Sequence, residues 1–397
     1  MQRILVLGAG FAGLWSAIGA ARALDERGIG SDRVEVTVVN ATPWHSIRVR
    51  NYEADLDGTR VPLADVLDPI GVKLVVAEIA DIDISHCAVT CLADGKTLQL
   101  GYDRLVFALG SRLARPPIPG LREHAFDVDT YDAALRLGAH LSRVDDTVLV
   151  IGAGATGIEV ATEMAARQPR VILADRSPRI GAALGDGAAS VVEEALATLH
   201  VETRPGVTVA SIDRTGATLA DGERIEAATV IWCAGMEASP LTARFQVPRD
   251  RLGRLPVASS LKIEGLAAEF AAGDAAWFAI DGDHACVMSC QHGRPMGRFA
   301  GHNVVCDLLG EPTLPLAIDW YTTIVDLGAW GALYTEGWDR RVVAQRAAAK
   351  RTKETINRQR IYPPVSRDRR EILAAAAPVV QAPPAYGKAA KTEESVP

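Results

Sequence analysis

Apolar and polar positions along this chain repeat one order of elements twice. Arg3–Leu7 is a short apolar run of strand type, Leu7–Gly13 reads Leu-Gly-Ala-Gly-Phe-Ala-Gly, and Leu14–Leu24 is Ala-rich and of helical length. Continuous apolar runs bounded by turn residues mark strands buried on both faces. Val34–Val39 is a β-branched strand ending at Asn40. Leu74–Leu109 reads as short strands with a hairpin signal at Asp94-Gly95, and Leu105–Ser111 closes the unit as a buried strand running into Gly110. The second copy opens with the strand Val148–Ile151, the turn Gly152–Gly157 (GAGATG), the helix Ile158–Arg167 and the strand Val171–Ala174, which ends at Asp175. Val207–Gly235 repeats the closing pattern. Both copies carry Leu-Ala-Asp-Gly before the final apolar run, and the second run ends Val230-Ile-Trp-Cys-Ala-Gly235.

The rest of the pattern is less regular. Arg115–Gly120 (RPPIPG) is a Pro/Gly break suited to a hinge between domains. Glu269–Asp274 (EFAAGD) is an apolar strand that delivers Asp274 directly after Gly273. Leu314–Trp338 gathers Trp320, Tyr321, Trp330, Tyr334 and Trp338, which suits a cap or oligomer core, or a substrate box. Arg340–Arg360 is expected to be a basic helix, and the Ala/Pro-rich, then polar, end of the chain is expected to be disordered. The expected class is α/β, with two Rossmann-like dinucleotide-binding domains, each carrying a three-stranded β meander, and a small C-terminal segment. The expected boundaries are a discontinuous first domain over 1–113 and 238–310, a second over 114–237, a cap or interface segment over 311–370 and a tail over 371–397.

Strand, glycine turn and helix in succession have a mechanism. The first glycine (Gly8, Gly152) permits the tight turn, the second (Gly10, Gly154) lets backbone approach a pyrophosphate, and the third (Gly13, Gly157) lets helix and strand pack closely. Free N–H groups at the helix start, beside Phe11 and Ala12 in the first copy, then face the phosphates. Asp175 stands where such a unit places a ribose-binding acid, whereas the first copy has Asn40, which can bond a hydroxyl without the charge. Trp44–Asp57, with Arg48 in it, reads as a polar linker or as a segment lying across a cofactor.

Composition narrows the class. At 397 residues and 48% hydrophobic, the chain can bury two or three cores. No run approaches the roughly 18 apolar residues of a membrane span. The first strand begins at Arg3, which leaves no room for a cleavable leader, so the cytoplasm is the expected compartment. Six irregularly spaced cysteines do not form a disulfide framework. Arg340–Arg370 holds 11 Lys and Arg against two acids, a local charge of +9 that leaves −16 on the rest. An acidic protein without aromatic repeats is not expected to bind nucleic acid. Peripheral contact with the inner face of a membrane is the most this run would support.

The paired glycine motifs, 144 residues apart, with the later Gly273-Asp274, resemble the two-dinucleotide-binding-domain flavoproteins. Within these, residues 1–335 most resemble the type II NADH dehydrogenases and apoptosis-inducing-factor-like oxidoreductases. Trp44-His45 through Tyr52-Glu53-Ala54 is similar to that group's segment beside the flavin, Val150–Glu163 to its second glycine motif, Ile231–Pro240 to its Trp-Ala-Ala-Gly stretch, and Cys290-Gln291 to its Ala-Gln pair near the isoalloxazine ring. The resemblance implies FAD on the first unit and NADH on the second, with NADPH disfavoured by Asp175. It implies hydride transfer from NADH to flavin, then electron delivery to a quinone-like or other small acceptor. It also implies that Glu159 sits near the nicotinamide–flavin contact, although an acid in a helix's first turn is favoured there by the dipole alone. Gln291 is expected at the acceptor face. Pro295-Met296 replaces the Gln pair of quinone-reducing members, and the C-terminal segment lacks their apolar amphipathic helices. Alternatives are a reductase serving a ferredoxin-type protein, or an NADH-binding redox sensor with little turnover. A homodimer fits either.

Other residues offer rival chemistry. Alternation would put Cys87 and Cys91 on one strand face, as core or surface thiols more than as a redox pair. His284, Cys286, Cys290 and His292 are rich in metal-ligand types, but their spacing fits zinc poorly, and no metal is expected.

Overall fold

The structure is a computed structural model and describes residues 1–383. The chain opens with β1 (Gln2–Leu7), α1 (Phe11–Asp25), β2 (Val34–Asn40) and β3 (Lys73–Val76), followed by a meander of β4 (Glu78–Asp83), β5 (Ala88–Ala93) and β6 (Lys96–Gly101), and then β7 (Arg104–Phe107). Ile4, Leu5, Val6 and Leu7 are buried because β1 lies mid-sheet, with β2 and β7 paired parallel on either side. The helix expected from Leu14 begins at Phe11, with Gly10 as its N-cap. Asp94 and Gly95 both take positive φ at the β5–β6 turn, the geometry of a type I′ hairpin.

After a paired crossing, in which Ser111–Leu113 runs antiparallel to Met236–Ala238, the second unit is built the same way. It comprises β8 (Ala125–Phe126), β9 (Val148–Ile151), α2 (Ala155–Met164), β10 (Val171–Ala174), β11 (Glu202–Arg204), a meander of β12 (Val209–Asp213), β13 (Gly216–Leu219) and β14 (Arg224–Glu226), and β15 (Thr229–Trp232). The chain then returns to the first sheet through β16 (Glu269–Ala271) and the long helix α3 (Cys290–Leu309). The sheet orders match: β16-β7-β1-β2-β3 in the first unit and β8-β15-β9-β10-β11 in the second, all parallel. Close approach makes the third glycine of each motif obligatory. A Cβ on Gly13 would lie 1.9 Å from the Gly8 carbonyl oxygen, and one on Gly157 would lie 1.7 Å from that of Gly152.

The C-terminal segment is a three-stranded antiparallel sheet, β17 (Thr322–Asp326), β18 (Ala332–Glu336) and β19 (Arg341–Gln345), followed by α4 (Arg346–Thr355) and α5 (Arg369–Ala375). Two expectations change here. The basic helix does not start at Arg340, because the β-branched run around Val342-Val343 pairs with β18 as β19, and only Arg346–Thr355 is α-helical before a π turn at Ile356–Arg360. The tail expected to be disordered from residue 371 instead begins within α5, capped by Asp368 and anchored by buried Ile372 and Leu373 in the core that holds α1. The remainder of that stretch, 384–397, lies outside the described residues.

The basic run is mostly neutralised. Seven of its cations pair with acids outside the run: Arg341 with Glu336, Arg346 with Glu194, Lys350 with Asp326, Lys353 with Glu159, Arg358 with Glu53, Arg367 with Asp65 and Arg369 with Asp25. They tie the segment to both nucleotide units rather than presenting a free patch. No described helix is long and apolar enough to cross a membrane.

Candidate active site

Both glycine turns open onto one cavity of about 1130 Å³ between the two units, roofed by the C-terminal segment. Gly8, Gly10, Phe11, Ala12, Asn40, Arg48, Gly110 and Asp274 line it from the first unit, Gly154, Glu159 and Gly235 from the second, and Gln291 from the start of α3. Gly13, Gly152, Gly157, Asp175 and Gly273 are not in its wall. The first three and Gly273 shape the turns, and Asp175 stands behind the second one. A Cβ on Gly10 or Gly154 would meet no protein atom within 4 Å, which is the open face that a pyrophosphate requires.

The strand-end residues brace the turns in the same way. Ala153 N–H donates to Asp175 Oδ2 at 2.7 Å, and Ala9 N–H donates to Asn40 Oδ1 at 2.9 Å. Asn40 spends its amide N–H on the Thr42 carbonyl, and Asp175 Oδ1 accepts from Ser177 N–H. Arg48 is ion-paired with Asp129 and donates to the Ser111 carbonyl at 3.0 Å. Ser111 O–H donates to Asp274 Oδ2 at 2.6 Å, and burial pushes the Asp274 carboxyl up. This polar wall fits the hydroxyl-rich linker of a dinucleotide.

Glu159 lies in the first turns of α2 and is buried. Its Oε1 accepts from Lys353 Nζ at 2.5 Å and from Asp326 N–H at 3.1 Å. Burial, the largest influence, raises its carboxyl, and Lys353 opposes that rise. Beside it, Tyr52 O–H donates to Asp326 Oδ2 at 3.1 Å, and Asp326 also takes Lys350 Nζ at 2.6 Å. The helix-dipole reading of Glu159 therefore misses its main partner. Gln291 Oε1 accepts from Thr322 O–H at 2.7 Å, whereas its Nε2 is buried with no partner among the described residues, and the residue borders the cavity. An orphaned donor of this kind awaits an acceptor oxygen.

The aromatic cluster divides between its two readings. Trp320 and Tyr321 line the cavity, with Tyr321 stacked on Trp338 at 4.3 Å and Trp338 stacked on His284 at 4.3 Å, while Trp330 and Tyr334 are packing residues of the cap. Pro295 borders the cavity and Met296 is buried in the core.

The rival chemistries lose their geometry. Cys87 precedes β5 in a left-handed turn, Cys91 is buried, and burial raises both thiols. Among the described residues no group of three or more His, Cys, Asp or Glu could hold a metal. His284 bonds Asp281, and His292 Nδ1 accepts the Val287 N–H. Lys353, Arg294 and Arg298 border the cavity and were not singled out from the sequence. Lys353 hid in the basic run, where its four-residue spacing from Ala349, which puts both on one face of α4, was the only signal the sequence offered, and the structure buries both.

A shared cavity for two dinucleotide turns, with a buried acid between them, defines a flavin- and pyridine-nucleotide-dependent oxidoreductase. The chain belongs to the pyridine nucleotide-disulphide oxidoreductase family, whose model matches residues 2–297. It is 52% identical, over 97% of its own length and all of the relative's, to an NADH dehydrogenase-like protein of Mycobacterium tuberculosis. It is 29% identical to the type II NADH:quinone oxidoreductase Ndh of the same organism, over 71% of this chain and 68% of that one. Its fold superposes on NDH2 of Plasmodium falciparum with a TM-score of 0.74 at 12% identity, covering 94% of this chain and 97% of that one. The protein is an enzyme, and its cofactors are FAD and NAD(H).

Proposed function

We propose that the chain binds FAD along the first turn and NADH along the second, and passes electrons from NADH to a small quinone-like acceptor. The shared cavity carries this reading, because it lets two dinucleotides entering from opposite units meet ring to ring. FAD, when bound, would supply the two-electron redox chemistry that links the nicotinamide to the acceptor.

The protein's own part is to bind, orient and exclude water. Backbone N–H groups at the starts of α1 and α2 receive the pyrophosphates. Asp274, its geometry set by Ser111, meets the linker hydroxyls of the first dinucleotide. Asp175, braced by Ala153 and Ser177, presents its carboxylate to the ribose of the second. Glu159, clamped by Lys353, fixes the charge beside the nicotinamide. Gln291, with its oxygen occupied by Thr322, keeps its buried Nε2 available to donate to a carbonyl of ring or acceptor.

Anaerobic stopped-flow spectroscopy tests the assignment. NADH should bleach the flavin band, and a quinone should restore it. Q291A should slow the return and leave the bleaching nearly unchanged; slowed bleaching with normal return would reverse the assignment of faces. Return of the band only with a ferredoxin-type protein, or with no acceptor at all, would replace the quinone reading.

A further inference from the structure

Two arginines of α3 are not used by the function above. Arg294 and Arg298 follow Cys290 at successive four-residue steps, hence on one helical face, and all three border the cavity. Arg298 is 3% exposed and Arg294 half-buried. Both guanidinium groups lie against one indole, with Cζ of Arg298 4.4 Å and Cζ of Arg294 5.2 Å from the Trp15 ring centroid. The Nε of each is buried and has no hydrogen-bond partner among the described residues. Among the described residues neither forms an ion pair, although arginines of the same unit such as Arg27, Arg48 and Arg50 all do. Burial lowers both to about 10, and Arg298 further lowers Arg294, so both remain charged at neutral pH. Arg360 borders the same cavity, adding a third cation, and donates to the Ala382 carbonyl.

Two like charges held out of water with no protein counter-ion among the described residues are unfavourable, and stacking on Trp15 only partly offsets this. An uncharged, hydrocarbon-tailed acceptor would leave both unsatisfied. A carboxylate would accept from both forks at once.

We propose that Arg294 and Arg298 form an anion subsite of the acceptor pocket, and that the acceptor is a quinone bearing a carboxylate. This rests on the acceptor reading above. NADH, one proton and the quinone become NAD⁺ and the hydroquinone, and the carboxylate is unchanged throughout, serving to hold the ring in place.

The test is the binding of anthraquinone-2-carboxylate and its neutral carboxamide to the oxidised, FAD-loaded enzyme, followed by tryptophan quenching. The carboxylate should bind about tenfold more tightly than the carboxamide, as charge-assisted pairing to arginine predicts. R294Q, at the more accessible position, should lower that preference severalfold, and R294Q/R298M should abolish it. If the double variant does not fold, R294Q alone decides. Equal affinity for the two ligands, or a preference undiminished in R294Q, overturns the proposal. NADH bleaching is recorded on the same wild-type preparation. Bleaching without a carboxylate preference sinks the subsite and leaves the oxidoreductase reading standing. A carboxylate preference without bleaching establishes the anion site and sinks its role in acceptor binding.

Discussion

Lys353 holds its ammonium 2.5 Å from a carboxylate oxygen of Glu159, an ion pair across 194 residues in which both side chains are under a tenth exposed. The cap thus reaches into the cavity beside Glu159. Burial works against the charge on Lys353, but Glu159 and Asp326 outweigh it and raise the amine above its ordinary value. Removing that cation should leave burial unopposed on Glu159. K353M is therefore expected to slow NADH-driven bleaching about tenfold at neutral pH and to shift its rise toward higher pH, as the carboxyl becomes harder to ionise. E159Q should abolish the shift. Stopped-flow bleaching across a pH series reads it, and a K353M profile that coincides with wild type would make the pair purely structural.

NADH should be preferred over NADPH. Asp175 stands at the end of β10 with each carboxylate oxygen taken by one backbone N–H, which fixes the group where it repels a 2′-phosphate. D175N should keep the bracing geometry in part, lose the repulsion, and narrow the ratio of kcat/KM between the two cofactors by about tenfold, a difference of some 1.4 kcal/mol. A wild-type enzyme that favours NADPH would refute the placement of this acid.

Two glycines of one motif should fail in different ways. A Cβ on Gly157 collides with the Gly152 carbonyl, so G157A should distort the second turn, cost several kcal/mol as other core overpacking does, and lower the melting temperature. A Cβ on Gly154 meets no protein atom, so G154A should melt near wild type yet raise the KM for NADH. Calorimetry and steady-state kinetics on the pair separate the two effects. Equal melting losses would mean that the face at Gly154 is not open, and an unchanged KM in G154A would mean that it has no ligand role.

His45 and His292 are buried and neutral, each lowered to about 4 by desolvation. Their unfolded value lies near 6.5. The unfolded chain therefore binds protons that the native one refuses, so their contribution is full above pH ~6.5 and is lost as pH falls toward about 4. Each site removes up to about 1.4 kcal/mol per pH unit within that window. Urea unfolding from pH 7 to 4.5 should show this slope, and H45Q should flatten it by one proton. A slope unchanged in H45Q would show that another group carries the acid sensitivity.

Local order was legible from the residues alone. β9 and β10 occupy Val148–Ile151 and Val171–Ala174 as read, and Asp94-Gly95 makes its hairpin, because buried parallel strands and type I′ turns impose their own residue types. The duplication was visible because the three-glycine spacing leaves no other residue room at Gly13 or Gly157. The apolar face of α5 was hidden by its surroundings. Ile372 and Leu373 are only two apolar anchors in an Ala/Pro-rich stretch, and their burial depends on α1, some 350 residues earlier.

By itself, then, the sequence determined two dinucleotide units, their order and their glycine turns, since these follow from steric and hydrophobic rules acting over a few residues. Tertiary structure alone decided how the C-terminal segment is used. A basic run reads as solvated surface until the acids that meet it are placed, and here those acids include Asp25, Glu53 and Asp65 of the first unit and Glu159 and Glu194 of the second. The partner of Glu159, the stacking of Arg294 and Arg298 over Trp15, and the orientation of Gln291 by Thr322 are likewise long-range pairings. Their energies depend on burial and on which charge lies opposite, and neither is encoded at the position of any one residue.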